Sequence, residues 1–388
     1  MDDSSWGMET RLIHAGEPKP RIHGSAIVPV FQGNVYEVSD EMAYGDIPYP
    51  RLSNLPNHQV LHGKLAAISG AEAALVTSSG MSAISTVMLA LLEKGNHVLA
   101  QSTLYGGTHG LAQKHLPSLG IETSLVDLDS PKEWKEALRP ETTMFYVETL
   151  TNPLIHVGDL EAMVAFCRQH DLLAVIDNTF GSPVNFRPAE WGFDIEVHSA
   201  SKYLNGHSDL IAGAIMGKRG LLEKVKHGLD YFGGSLDPHA CFMLHRGLRT
   251  LSLRVKTQNE NALHLATFLE QHSQVERVHY PGLKSSPSYE RARKLLGGGG
   301  GVLSFELHGG RQAANQLLDH LDLFVNGPSL GGVESLVTRP AATSHAGMSP
   351  EERAKAGISD GLIRVAVGIE CATDLIRDLE RGLDALTD

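Results

Sequence analysis

An α/β architecture, a mostly parallel sheet joined to a smaller C-terminal α+β domain, is predicted by three observations. The chain has 388 residues, beyond the size at which one hydrophobic core usually stops growing. Short β-rich runs alternate with helical stretches between about residues 70 and 218, and that alternation ends beyond about residue 250.

The elements follow in order. Prolines at 18, 20, 29, 48 and 50 make the first 50 residues extended and irregular, an arm that needs something to lie against, such as a second subunit. Seven strand candidates come next: Ala73–Thr77, His97–Ala100, Ser124–Asp127, Met144–Glu148, Leu172–Asp177, Ile195–His198 and Ile211–Met216. Helix candidates between them include Met81–Lys94 and Leu160–His170, the latter opened by Asp159 as N-cap. Strand-helix alternation of this kind buries both faces of a parallel sheet and puts functional groups in the loops after the strands.

Beyond residue 250 a helical stretch, Thr257–Gln271, leads to the glycine run 297–301 and the strand candidate Val302–Leu307. The glycines lack the Gly-Lys-Ser/Thr ending of a phosphate loop and read as a flexible turn. A strand over Leu362–Val367 and an amphipathic helix over Thr373–Leu386 close the chain.

Composition narrows the function. A net charge of −12 argues against nucleic acid or an anionic membrane and for a small-molecule substrate. Cys167, Cys241 and Cys371 are far apart, and the 20 histidines form no His-Glu-x-x-His or comparable spacing, so no disulfide framework or metal site is expected. The acidic start, Met1-Asp2-Asp3-Ser4-Ser5, is unlike a signal peptide, and no apolar run reaches the roughly 18 residues of a membrane span. A cytoplasmic location is expected.

The chemistry is concentrated at two strand ends. Lys202 lies in His198-Ser199-Ala200-Ser201-Lys202-Tyr203, and Asp177 ends the run Leu172–Asp177. A lysine amine to bind an aldehyde covalently, and a carboxylate to keep a pyridine nitrogen protonated, are what pyridoxal phosphate requires. Ser78-Ser79-Gly80-Met81 stands where a strand turns into a helix, so backbone N–H groups and the helix dipole converge there on a phosphate. Ser199 and Ser201 flank the lysine as further hydroxyl donors.

With these residues in place the chain resembles the Cys/Met-metabolism pyridoxal phosphate enzymes, which include cystathionine γ-synthase, cystathionine γ-lyase, cystathionine β-lyase and methionine γ-lyase. The resemblance runs through nearly the whole chain. It is carried by Tyr49-Pro50-Arg51, Ser78–Met81, Leu104-Tyr105-Gly106-Gly107-Thr108 and Glu148-Thr149-Leu150-Thr151-Asn152-Pro153. Further on come Ile176-Asp177-Asn178-Thr179, His198–Tyr203, Ser329-Leu330-Gly331-Gly332-Val333-Glu334-Ser335 and Leu362–Gly368.

The resemblance implies an aspartate aminotransferase-like fold of type I with a mostly parallel seven-stranded sheet. It divides the chain into an arm over 1–55 that contacts the neighbouring subunit, a large cofactor domain over 56–250 and a C-terminal domain over 251–388. Pyridoxal 5'-phosphate would be held by Ser78, Gly80, Met81, Tyr105, Asn152, Asp177, Ser199, Ser201 and Lys202, with Tyr105 stacked on the ring and Asn152 on its hydroxyl. Tyr49 and Arg51 would reach the phosphate of the adjoining subunit, in a homotetramer built from dimers that share active sites. Arg364 would grip the substrate carboxylate beside Ser329, and Lys202, Tyr105 and Asp177 would carry catalysis.

The implied reaction is γ-elimination or γ-replacement on a homoserine-type amino acid, as in a cystathionine γ-lyase or γ-synthase. Methionine γ-lyase, cystathionine β-lyase and canavanine γ-lyase reactions are the alternatives; an aminotransferase and a catalytically silent relative are readings of another class. Gly107 stands where methionine γ-lyases usually carry cysteine, and Pro328 where a glutamate commonly precedes Ser-Leu-Gly-Gly. Ser201 replaces the commoner threonine, and the stretch Gly233–His239 is about a residue short.

Overall fold

The structure, a computed structural model, describes residues 5–386. The N-terminal residues 1–4, on which the signal-peptide argument rests, lie outside the described residues. The chain divides into two compact units. One holds the residues up to Ser102, Gly107–Glu148 and Glu161–Ser252; the other holds Thr103–Gly106, Thr149–Leu160 and the residues from Leu253 on. Two short segments that a contiguous reading of the sequence leaves in the large domain thus fall in the second unit.

In the first unit β1 (Ala73–Thr77), β2 (His97–Gln101), β3 (Glu122–Val126), β4 (Thr142–Glu148), β5 (Leu173–Asp177), β6 (Ile195–Ser199) and β7 (Gly213–Gly217) form one sheet, ordered β1-β7-β6-β5-β4-β2-β3. The strands from β2 to β6 pair in parallel, and β7 lies antiparallel between β1 and β6. Every residue of β2 and β7 is buried, as expected of strands covered on both faces.

Register then positions the functional loops. Glu148 pairs with Asp177, Asp177 with Val197, Ser199 with Gly213, and Gly213 with Thr77, so the carboxyl ends of β1, β4, β5 and β6 share one edge. Gly213 is required there because a Cβ would lie 2.1 Å from the Ser79 carbonyl oxygen and 2.3 Å from Thr77 Oγ1.

The N-terminal segment is more ordered than its prolines suggest. Met8–His14 is helical because it has a surface to bury against: Leu12 is fully enclosed and Arg11 Nη1 donates to the Ala67 carbonyl at 3.1 Å. Lys64, buried in the helix Pro56–Ser69, donates to the Leu12 carbonyl at 3.0 Å and pairs with Glu17 at 3.6 Å. Glu17 also meets His245 Nε2 at 2.8 Å.

Burial lowers the Lys64 pKa to about 8, against the opposing pull of Glu17. Glu17→Gln strands that ammonium and is expected to cost about 3 kcal/mol in chemical denaturation at neutral pH. Because the buried lysine is uncharged above about 8 in the folded wild type and the folded variant alike, and then has no charge for Glu17 to pair, the deficit should narrow as pH rises through about 8. An unchanged denaturation midpoint would refute this account of the N-terminal anchor.

In the second unit β8 (Val275–His279), β9 (Val302–Leu307), β10 (Val325–Asn326), β11 (Leu336–Thr338) and β12 (Ile363–Ala366) form a sheet ordered β10-β11-β12-β9-β8. Its core joins Leu303, Phe305, Ile363 and Val365 to Leu375, Leu379 and Leu383 of the closing helix Ala372–Asp384. The glycine run before β9 is a packed turn. Tyr280 donates its hydroxyl to the Gly300 carbonyl at 2.9 Å, and a Cβ on Gly299 would lie 2.5 Å from that hydroxyl oxygen. Small residues are needed at this turn for close packing.

Candidate active site

The turn after β1 opens the helix Gly80–Leu91. Ser79 caps it, its hydroxyl accepting from Ser82 N at 3.0 Å, which leaves the amides of the first turn directed at the strand edge. A Cβ at Gly80 would lie 2.8 Å from Ser199 Cβ, so the missing side chain lets the helix start meet the end of β6. Met81 follows in the first turn, and Ser78 is exposed. Ser78, Gly80, Met81 and Ser199 are thereby gathered.

Ser201 and Lys202 lie in the turn after β6, with Lys202 half-buried. The Ser201 hydroxyl accepts from Ala212 N at 3.0 Å and donates to the Ala212 carbonyl at 3.3 Å. Its single proton is therefore turned to backbone, unlike the phosphate donor expected of it. Tyr49 and Arg51 are not brought into this set: Arg51 donates to the Asp230 carbonyl at 2.6 Å and to Tyr44 Oη at 3.0 Å, and stacks on the Tyr49 ring.

Asp177 is buried at the end of β5. Burial raises its pKa; hydrogen bonds from Thr179 and the positive potential of His198 oppose that rise, and Glu196 adds to it. One bond is Thr179 N to Asp177 Oδ1 at 2.9 Å, while the Thr179 hydroxyl accepts from Ser199 N at 2.8 Å. Thr179 thus ties the aspartate strand to the lysine strand. The sequence contained its signal: an amide two residues after an aspartate closes an Asx turn. A buried acid at a strand end, beside a glycine-opened helix start, fits a phosphorylated pyridine whose ring nitrogen carries a proton.

The second unit holds the other expected residues, Tyr105 among them, and brings Arg364, Asn152 and Ser329 together. Arg364, in β12 and 4% exposed, donates from Nη1 to Asn152 Oδ1 at 2.9 Å and from Nη2 to the Ser329 carbonyl at 3.0 Å. Both acceptors are neutral, so the fork is oriented without losing its charge. Tyr105 is 46% exposed, and the Gly106 that follows it packs on the Ser344 carbonyl. His345, which sequence reasoning did not single out, is buried beside Asn152; burial and then the Arg364 charge lower its pKa.

A family model described as Cys/Met metabolism PLP-dependent enzyme matches residues 9–384. The chain belongs to that family. As a Cys/Met metabolism enzyme it works with pyridoxal phosphate. It is 38% identical over 398 residues to the L-methionine gamma-lyase of Fusobacterium nucleatum subsp. nucleatum, covering 100% of each chain. With the cystathionine beta-lyase MetC of Bacillus subtilis (strain 168) it shares 38% identity over 99% of this chain and 98% of the other. The crystal structure of cystathionine gamma-lyase from Lactobacillus plantarum complexed with L-serine superposes with a TM-score of 0.93 at 34% identity, covering 98% of this chain and 100% of that one. The α/β pyridoxal phosphate fold expected from the motifs is therefore the family's own. Among the described residues no helix is long and apolar enough to cross a membrane, and no group of three or more His, Cys, Asp or Glu is placed to hold a metal ion.

Proposed function

We propose that the enzyme catalyses γ-elimination or γ-replacement on a homoserine-type amino acid in sulfur amino-acid metabolism, with Lys202 as the covalent anchor of the cofactor. The observation that carries this reading is the register of β5 on β6: Asp177 pairs with Val197, so the acid and the turn bearing Lys202 end adjacent strands. Pyridoxal phosphate, when bound, supplies the electron sink for the substrate carbanion.

The protein supplies the rest. The amides of Gly80 and Met81, with the Ser78 and Ser199 hydroxyls, hold the phosphate; Asp177 keeps the proton on the ring nitrogen. Lys202 would hold the cofactor covalently and, with its amine free, would take up the α-proton as general base. Tyr105 stacks on the ring and assists proton transfer, Asn152 holds the ring hydroxyl, and Arg364 orients the substrate carboxylate beside Ser329.

Tyr49 and Arg51 serve the phosphate of an adjoining subunit in a cytoplasmic homotetramer of dimers. The exposed apolar residues of the arm, among them Val35, Val38 and Tyr44, support that reading, as does the bonding of Arg51 away from the Ser78–Met81 turn of its own chain.

The test is to incubate the purified enzyme separately with cystathionine, O-succinylhomoserine plus cysteine, methionine and canavanine. Release of 2-oxobutanoate or homoserine, or formation of cystathionine, is expected from at least one. Pyruvate alone, from cystathionine, would move the cleavage to the β-carbon, and a keto acid formed only with an amino acceptor would make the enzyme an aminotransferase.

A further inference from the structure

Next to the aspartate lies a tyrosine whose buried hydroxyl faces Thr108 and the aspartate itself. Tyr146 of β4 pairs with Val175 of β5, and Glu148 with Asp177, so Tyr146 and Asp177 point to the same face of the sheet, two positions apart along adjacent strands. Tyr146 is fully buried, and its Oη has no hydrogen-bond partner; the same holds for Oγ1 of Thr108, also buried. The phenol lies beside both Thr108 and the Asp177 carboxylate, and burial with the charges of Asp177 and Glu148 holds its pKa well above the ordinary range. The proton therefore stays on the phenol, available for donation. An unpaired buried hydroxyl destabilises a fold, and phenylalanine would fill the same space without one.

We propose that Tyr146, backed by Thr108, is a positioning residue for Asp177 whose O–H is placed to donate to the carboxylate and make it a weaker base. The proposal rests on the assignment of Asp177 to the cofactor's ring nitrogen. A carboxylate that is too basic would take the ring proton for itself and weaken the electron sink. Thr179 already gives it a side-chain and a backbone donor, and Glu148 from β4 and His198 and Glu196 from β6 are the charged or titratable groups around this pair. A further donor adds to these against the burial that raises the pKa of Asp177.

The experiment compares wild type with Tyr146→Phe and Thr108→Val, each close in shape to the native residue. In the Tyr146→Phe holoenzyme, the pH midpoint of the bound cofactor's colour change is expected to rise by about one unit, and kcat to fall about 10-fold with KM little changed. In the apoprotein, the carbon NMR titration midpoint of the Asp177 carboxyl should rise as well. Thr108→Val should move all three in the same direction by less, and serves alone if the tyrosine variant does not fold. Thermal stability of Tyr146→Phe should be equal to or above wild type. Colour midpoint, kcat and carboxyl titration all within twofold or 0.3 pH units (about a factor of two) of wild type would overturn the proposal. If wild type takes up no cofactor colour, the assignment of Asp177 fails, and the apoprotein titration still decides the role of Tyr146.

Discussion

Lys202→Ala is expected to abolish turnover, by about 10⁴-fold or more, because one change removes both the covalent anchor and the base that takes the α-proton. Its neighbours should keep their packing, since Ala200, Tyr203, Leu204 and Asn205 are buried in that turn, whereas Lys202 is half-buried. The variant should fold and melt near the wild-type temperature. It should lack the yellow absorbance of the loaded enzyme, and borohydride should trap no adduct at residue 202. Retained turnover in this variant would sink the assignment.

Arg364 carries the second large effect. Arg364→Ala leaves a substrate carboxylate without its fork and Asn152 without a donor, and a buried charge-paired contact of this kind is worth about 3–4 kcal/mol, or roughly 10²–10³-fold in kcat/KM. Most of the loss should appear in KM, because the carboxylate is held in both ground and transition states. Arg364→Lys keeps the charge but cannot donate to Asn152, Ser329 and a carboxylate in one plane, and should recover only part of the activity. Equal kcat/KM for a substrate and its decarboxylated amine in wild type would remove Arg364 from carboxylate recognition.

Much of this was legible in the chain because it is local. Strand ends followed by Ser-Ser-Gly, by Asp-Asn-Thr and by Ser-Ala-Ser-Lys announce themselves through neighbouring residues alone. Features set by pairing were not. The antiparallel run of β7 depends on its partners β1 and β6, although the helix-free connection from Ser199 to Gly213 was a usable clue. That strand begins at Gly213 rather than Ile211 because Ile211 is exposed and Ala212 is bonded to Ser201. The same bond, eleven residues away along the chain, turns the Ser201 hydroxyl from the phosphate role its spacing suggested. Tyr146 reads as one more strand residue until register sets it beside Asp177.

The antiparallel β7 has one more consequence. It makes residues 200–212 a hairpin whose stem is clamped by Ser201 and Ala212, while Ser208 and Asp209 further out and Ile211 beside the stem face solvent. Asp209 nevertheless reaches back into the loop, accepting from the buried Asn205 Nδ2 at 2.8 Å, so the far end is bonded to the turn that carries Lys202. Selection, natural or in the laboratory, therefore meets a constraint at His207 and Asp209, both of which bond to Asn205, even though Asp209 faces solvent.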